Sequence, residues 1–141
     1  MKKQNILIDD DLSHAVKYHK KSLKGYLKAH DDRHSHVADV RYNIAGVYRE
    51  LKEFDKALSH LKKALSIREE KLDTDHPELA ETYNDLGLAY QDHFELEKAH
   101  EYNNKALVLR KKLYDDHHPE VAKSFNSIAN TFLQEECWQS S

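Results

Sequence analysis

The sequence predicts an all-α protein, an α-solenoid of stacked antiparallel helix pairs, and three observations support this prediction. The segment 73–80 returns as 115–122, and a more divergent copy occupies residues 31–38. This 42-residue period is typical of a stacked array of small units. Only three Gly and two Pro occur among 141 residues, and 33% of the chain is charged, which favours helices. No segment shows the sustained period-two alternation of a strand.

The first predicted helix, B0, covers residues 10–30. Ala15 and Ser22 lie one period before Ala57 and Ala64, so B0 is equivalent to the second helix of a later pair. The acidic residues Asp9–Asp11 are suited to the start of a helix. The first helix that would pair with B0 is not in the sequence.

Helices A1 (36–50), A2 (77–92) and A3 (119–134) carry an apolar stripe that ends on an aromatic residue. In A2 that residue is Tyr90, and Gly87, Leu86 and Leu79 precede it at helical spacings, so they share one face. The small residue at the Gly87 position predicts the close approach of a neighbouring helix. Pro77 suits the first helical turn. The equivalent stripes are Val37, Ile44, Ala45 and Tyr48 in A1, and Val121, Ile128, Ala129 and Phe132 in A3.

Helices B1 (53–72) and B2 (95–114) follow A1 and A2 after the short loops Leu51-Lys52 and Asp92-His93. In B2, small residues recur at Ala99 and Ala106, and B1 carries the same pair one period earlier. Short loops between helices predict antiparallel hairpins. The helix order is therefore B0-A1-B1-A2-B2-A3. The predicted organisation is an N-terminal extension (1–9), an array (10–134) made of B0, a first repeat (36–72), a second repeat (77–114) and a half repeat (119–134), and a C-terminal tail (135–141).

Composition restricts the class of partner. The net charge is −3, which gives no overall field for nucleic acid or membrane. No apolar run approaches the roughly 18 residues of a membrane span, and the apolar stretch after the basic start is too short for a signal peptide. Cys137 is the only cysteine, so no intramolecular disulfide forms. We expect a cytoplasmic protein, or a fragment of a longer one, with a protein or peptide ligand.

No pattern in the sequence predicts catalysis or a cofactor. We find neither a Gly-rich phosphate loop nor a nucleophile in a recognisable setting. The clusters at 30–36 and 115–118 are rich in His and Asp, which are zinc ligands in proteins. However, His34, His76 and His118 recur with the repeat, and His76 has no comparable cluster. This recurrence favours a role in the loops that enter the A helices, so we expect no metal.

The pattern Leu86-Gly87-x-x-Tyr90, followed by Ala99 and Ala106, resembles the tetratricopeptide repeat (TPR). The next proline, Pro119, lies farther from Ala106 than in the usual TPR unit, which lengthens the second helix and its loop by about two helical turns. This longer variant resembles the array of kinesin light chains and their relatives. The resemblance covers residues 10–134. It implies a TPR superhelix whose A helices line a concave groove.

The resemblance also implies which residues face the groove. Asn84 and Asn126 match an asparagine that, in kinesin-light-chain-like repeats, reaches the backbone of an extended peptide. A primary amide both donates and accepts hydrogen bonds, so it suits any peptide unit. The implied peptide-binding residues are Asp39, Tyr42, Arg49 and Glu50 in A1, Glu81, Asn84, Leu88 and Gln91 in A2, and Lys123, Asn126 and Asn130 in A3.

The charge of this predicted groove differs from that of the family. Ligands of kinesin light chains carry an aromatic residue flanked by acids and are held by basic groove residues. Here Arg49 and Lys123 are the basic residues, against the acidic Asp39, Glu50, Glu81 and Asp92. An acidic peptide would be repelled at the A1–A2 end, so a basic or mixed peptide is the expected ligand.

The leading hypothesis is a non-enzymatic protein–protein interaction module that binds a peptide or partner helix. The alternative is a self-assembling unit that forms a homodimer through uncapped ends, because solenoid repeats bury their apolar faces only against neighbours. An RNA-binding helical repeat is a third hypothesis. For a monomer, residues 6–8 would instead cover B0, and Cys137-Trp138 would cover A3. The predicted self-association residues are Leu12, Val16, Leu23, Phe125, Ile128, Phe132 and Trp138.

Overall fold

The computed structural model describes the backbone of residues 2–140 and the side chains of residues 11–137. Within that part of the chain it contains six α-helices and no strand, so the all-α prediction is confirmed. The helices are α1 (Lys2–Ala29), α2 (Ser35–Glu50), α3 (Phe54–Lys71), α4 (Pro77–Asp92), α5 (Leu96–Leu113) and α6 (Pro119–Ser140). They correspond in order to B0, A1, B1, A2, B2 and A3. None of the helices in the described residues combines the length and the apolar character that a membrane crossing requires.

The first and last helices are longer than predicted. α1 begins at Lys2, so the predicted extension (1–9) is helical from residue 2, and Asp9–Asp11 lie within the helix rather than at its start. α6 continues to Ser140, so most of the predicted tail is helical as well. Both added segments contain neither Pro nor Gly, and the helix therefore meets no residue that would end it.

Three histidines begin the A-type helices. His34, His76 and His118 directly precede α2, α4 and α6. In each case the imidazole Nδ1 accepts a hydrogen bond of 3.1 Å from the backbone N–H two residues later. This bond satisfies one of the N–H groups that a helix start leaves without an intrahelical partner. The predicted helix-entry role of these histidines is confirmed.

The turns between α2 and α3 and between α4 and α5 share one geometry. Lys52 and Phe94, one period apart, have left-handed backbone conformations with φ of 63° and 62°. The Glu53 N–H donates to the Tyr48 carbonyl at 2.9 Å, and the same bond recurs one period later. This pattern is a Schellman ending, in which a left-handed residue closes the helix.

The chain divides into two compact units, Met1–Ile67 and Arg68–Ser141. In the first unit α1 packs on α2. Val16 of α1 joins a buried cluster with Val40, Ile44, Tyr48 and Ala57. A second cluster contains Val37, Ala38, Ala64 and Ile67. Leu23 and Tyr26 of α1 pack against both clusters, so one face of α1 is part of the core of this unit.

In the second unit α5 packs on α4 and on α6. Ala99 and Ala106 of α5 are completely buried. A Cβ atom added to Gly87 of α4 would overlap the Asn103 amide oxygen and lie 2.8 Å from its Cγ. The close helix approach predicted from this small residue is therefore confirmed. The Asn103 side chain of α5 lies so close to Gly87 that a larger residue would not fit there.

Two buried arginines make equivalent contacts one period apart. Arg68 Nη1 donates to Thr82 Oγ1 at 2.8 Å, and Arg110 Nη1 donates to Ser124 Oγ at 2.9 Å. Arg110 Nη2 also lies 3.1 Å from a carboxylate oxygen of Glu120. Each arginine sits near the end of a B-type helix and bonds the following A-type helix. The two repeats therefore share a polar contact as well as an apolar stripe.

Candidate functional site

The predicted peptide-binding residues differ in exposure. On α2, Asp39 and Glu50 are exposed, whereas Tyr42 and Arg49 are half-buried. On α4, Glu81 is exposed, and Leu88 and Gln91 are half-buried. On α6, Lys123, Asn126 and Asn130 are all exposed. Exposure alone does not establish binding, so these assignments stay predictions.

Asn84 requires a correction, because its side chain is only 1% exposed. Its Oδ1 accepts a hydrogen bond of 3.2 Å from the Ser127 hydroxyl of α6. The amide that was expected to face a ligand is therefore used inside the protein, between two neighbouring A-type helices. Asn126, one period later, is exposed, so equivalent positions have different surroundings.

Asn84 belongs to a polar network among α4, α5 and α6. Asn103 Nδ2 donates to Thr131 Oγ1 at 3.0 Å. The Thr131 hydroxyl lies 3.1 Å from Gln91 Oε1 and 3.0 Å from the Ser127 carbonyl. Gln91 is thus engaged within the protein as well. This network is not predictable from the sequence, because its members lie on three helices without a common spacing.

One side of α6 combines charge, amides and an apolar group. Lys123, Asn126, Asn130 and Leu133 are all exposed, and successive members are three or four residues apart, which places them on one helical face. We call these four residues the amide face. A lysine, two amides and a leucine supply donors, acceptors and an apolar contact to a ligand lying along the helix.

A second exposed side of α6 is apolar. Phe125 and Phe132 are 48% and 56% exposed, whereas Tyr90, the equivalent of Phe132 in α4, is 2% exposed. Ala122 and Ala129 are exposed beside them. We call Ala122, Phe125, Ala129 and Phe132 the apolar strip. Two polar side chains of α5 lie beside the rings of the strip: the His100 ring centroid is 4.4 Å from that of Phe132, and Lys111 Nζ is 5.3 Å from the Phe125 ring. These contacts leave about half of each phenylalanine exposed.

The predicted self-association residues on α1 need a correction. Val16 is buried and Leu23 packs against both clusters of the first unit, so neither is available to a second molecule. Val16 is buried and Leu23 is half-buried because α1 uses this face to contact α2. Leu12 on α1 and Ile128 on α6 are half-buried. The side chain of Trp138 lies outside the described residues.

The histidine-rich segment after α1 forms a stack of rings. The ring centroids of His30 and His34 lie 4.0 Å apart, and those of His34 and His36 lie 5.0 Å apart. Among the side chains that the structure describes, no three His, Cys, Asp or Glu residues are arranged to hold a metal ion. In this segment His34 acts as the helix cap.

A cationic pocket in the first unit was not anticipated from the sequence. Arg33 from the α1–α2 loop, Arg41 from α2, and Lys62 and Lys63 from α3 line it. These residues have no common spacing, and they come together because α3 packs back on α2. A surplus of basic residues in the first part of the chain is the only sequence signal that points toward it.

The family model of the tetratricopeptide repeat matches residues 8–70 and 36–112, which together span more than half of the chain. The chain belongs to the tetratricopeptide repeat family. TPR proteins generally mediate protein–protein interactions and act as non-enzymatic scaffolds. A search of curated proteins finds no match to this TPR chain.

Solved structures show the same TPR fold. BtubC (BKLC) from P. vanneervenii is similar with a TM-score of 0.82 and 20% identity over 92% of this chain and 52% of that one. A Podosopora anserina protein described as a kinesin light chain with nearly identical TPR-like repeats gives a TM-score of 0.76 and 18% identity over 94% and 63%. The N-terminal domain of stress-induced protein-1 from C. elegans gives a TM-score of 0.52 and 19% identity over 84% of this chain and 97% of that one. This chain therefore spans about half to two thirds of the length of the first two, and the α-solenoid and kinesin-light-chain-like predictions are confirmed for the fold.

Proposed function

We propose that this chain is a non-enzymatic interaction module that binds a peptide or a partner helix along its A-type helices, as in the concave groove of TPR arrays. The amide face of α6 is the observation that carries the proposal. Asn126 and Asn130 lie one helical turn apart and are both exposed. Two amides at this spacing suit the alternating donors and acceptors of a peptide backbone. The α2 residues Asp39, Tyr42, Arg49 and Glu50 remain predicted contacts.

The composition of the second unit favours a basic or mixed peptide. Residues 68–141 contain 8 basic and 16 acidic residues, a balance of −8. Glu81 on α4 is exposed, and Lys123 is the basic member of the amide face. Charge complementarity therefore favours basic over acidic ligands and accelerates their association at low salt.

The proposal is tested with peptides selected from a random display library on the immobilised chain. The dissociation constant of a selected peptide is then measured by fluorescence anisotropy. We expect Asn126→Ala and Asn130→Ala each to weaken binding about two- to tenfold, which corresponds to roughly 0.5–1.5 kcal/mol per hydrogen bond. Asn104→Ala, which removes an exposed amide from α5, is the matched control. An unchanged dissociation constant in the double variant at positions 126 and 130 would exclude the amide face.

The apolar strip supports a second candidate function, self-association. Within each unit the small residues of the B-type helix are at the A–B contact: Ala57, Ala64, Ala99 and Ala106 are all fully buried. Their equivalents on α1, Ala15 and Ser22, are only half-buried. α1 therefore retains a small-residue side that resembles the one with which α5 packs on α4. We propose that α1 of a second copy occupies the apolar strip.

Light scattering after size exclusion tests this second candidate. We expect a mass that rises above 16.5 kDa with concentration, and Phe132→Asp should return it to the monomer value. Val108→Asp is the matched control, since Val108 is 57% exposed on α5 and lies outside the strip. Leu23 is not a suitable test position, because it packs in the core. A constant monomer mass at all concentrations would contradict self-association.

A further inference from the structure

The cationic pocket is formed by residues of the first unit, whereas the amide face and the apolar strip belong to α6 of the second, and neither proposed function uses it. It has a volume of about 310 Å³ and is lined by the α1–α2 loop, α2 and α3. Its charged lining consists of Arg33, Arg41, Lys62 and Lys63 with one acid, Asp32. Four cations and one carboxylate leave a formal balance of +3 in a small volume.

The two guanidinium groups are held in place by the protein. Arg33 Nη1 donates to Ser66 Oγ at 3.0 Å, and Nη2 donates to the Ser66 carbonyl at 3.2 Å. These bonds attach the loop before α2 to α3. Arg41 Nη1 lies 3.3 Å from His60 Nδ1. Both arginines are half-buried, so they differ from the mobile basic side chains of an ordinary solvated surface.

His60 lies beside the pocket and is affected by both burial and the neighbouring cations. Its pKa is lowered to about 4, first by burial and then by the charges of Arg41, Lys63 and Lys20. Burial also lowers the pKa of Arg41, against the raising effect of Asp32. Protonation of His60 is disfavoured first because the ring is partly buried, and then because it would add a cation to an existing cluster.

We propose that this pocket binds a phosphate monoester group. A phosphate dianion has three acceptor oxygens, and guanidinium groups bond such oxygens in planar, bidentate geometry. Lys62 and Lys63 add two point charges to the lining of the pocket, and the Ser66 hydroxyl is a neutral partner. A charge of −2 offsets most of the +3 balance, whereas a single carboxylate offsets a third of it. The proposal is independent of the amide face, because it concerns other residues and the other unit.

The test titrates the chain with inorganic phosphate and with O-phosphoserine at constant ionic strength. Nuclear magnetic resonance follows the titration of the His60 ring, and thermal denaturation follows stability. We expect saturating phosphate to raise the pKa of His60, because the bound anion offsets the neighbouring cations, and to raise the melting temperature. Lys62→Gln with Lys63→Gln should weaken binding by about tenfold or more. Lys24→Gln with Lys28→Gln changes the net charge equally at exposed positions of α1 and should bind as the wild type does.

Two comparisons decide the outcome. If a phosphoserine peptide binds more tightly than O-phosphoserine, the phosphate belongs to a protein partner, whereas equal affinities indicate a small phosphorylated molecule. Both results support phosphate binding by the cationic pocket. If the two double-lysine variants weaken binding equally, the interaction is general charge attraction and the proposal is wrong. The proposal is also wrong if saturating phosphate leaves the His60 titration unchanged, because phosphate then does not bind in the pocket.

Discussion

At the scale of single residues, the fold contains two glycines with opposite requirements. Gly87 has no room for a side chain, since an added Cβ would overlap Asn103, whereas an added Cβ at Gly46 has nothing within 4 Å. Gly87→Ala should cost about 1–3 kcal/mol through overpacking, although alanine is the better helix former. Gly46→Ala should stabilise α2 by about 1 kcal/mol through helix propensity alone. Urea denaturation of both variants measures the contrast, and equal effects of the same sign would disprove this account of Gly87.

Each histidine cap depends on a single side-chain nitrogen. At His76, Nδ1 accepts from the Glu78 N–H at 3.1 Å, so this nitrogen must be unprotonated for the cap to form. We expect His76→Ala to lower the free energy of unfolding by about 1 kcal/mol. His76→Asn should retain most of the stabilisation by the cap, since asparagine is a good N-cap residue. Chemical denaturation at neutral pH measures both values. Equal stability of the Ala and Asn variants would show that the cap contributes little.

At the scale of elements, the contact between α2 and α3 includes a titratable group. His60 of α3 stacks on Tyr48 with ring centroids 5.7 Å apart, and its pKa is lowered to about 4 by burial, Arg41, Lys63 and Lys20. An unfolded histidine binds its proton near pH 6.5. The unfolded state therefore binds more protons between these values. The stability that the neutral ring contributes is present above about pH 6.5 and is lost as the pH falls toward 4.

The predicted consequence is an acid-dependent loss of folding stability that is smaller when His60 is replaced. Because the ring is half-buried, solvent screening reduces the effect of the shift, and we expect about 1–2 kcal/mol. Between pH 7 and about pH 4, the free energy of unfolding measured with urea should fall further for the wild type than for His60→Gln by that amount. The other histidines are present in both proteins, so their contribution cancels in the comparison. Parallel pH profiles of the two proteins would contradict the prediction.

At the scale of the whole molecule, the charge is divided unevenly along the chain. Residues 1–67 contain 14 basic and 9 acidic residues, and residues 68–141 contain 8 and 16, so the balances are +5 and −8. This division favours contact between α1 of one copy and α6 of another. We expect Lys17→Glu with Lys24→Glu to reduce the self-association of the wild type at about 0.05 M salt, and the difference to diminish near 0.5 M, where charges are screened. Sedimentation equilibrium measures both effects, and salt-independent association would exclude this electrostatic contribution.

The 42-residue period by itself determined the helix order, the buried small and aromatic positions of α2 to α5, and the histidines that begin the A-type helices. These features follow from local chemistry: helical spacing places Ala45, Gly87 and Tyr90 on an apolar face, and a histidine before each A-type helix can reach the first turn. The ends of α1 and α6 were less predictable from the period, since they continue beyond the repeated segments.

The tertiary structure decided which of the equivalent positions are available. Asn84 and Asn126 share a motif position, but Ser127 bonds Asn84, whereas Asn126 is exposed. Leu23 was expected on an open face and packs against the core clusters of the first unit. The four basic residues of the cationic pocket meet only because α3 folds back on α2. A sequence repeat identifies residues that are chemically equivalent. It does not specify which helix packs against each of them, and that packing determines whether a side chain stabilises the fold or can contact a partner.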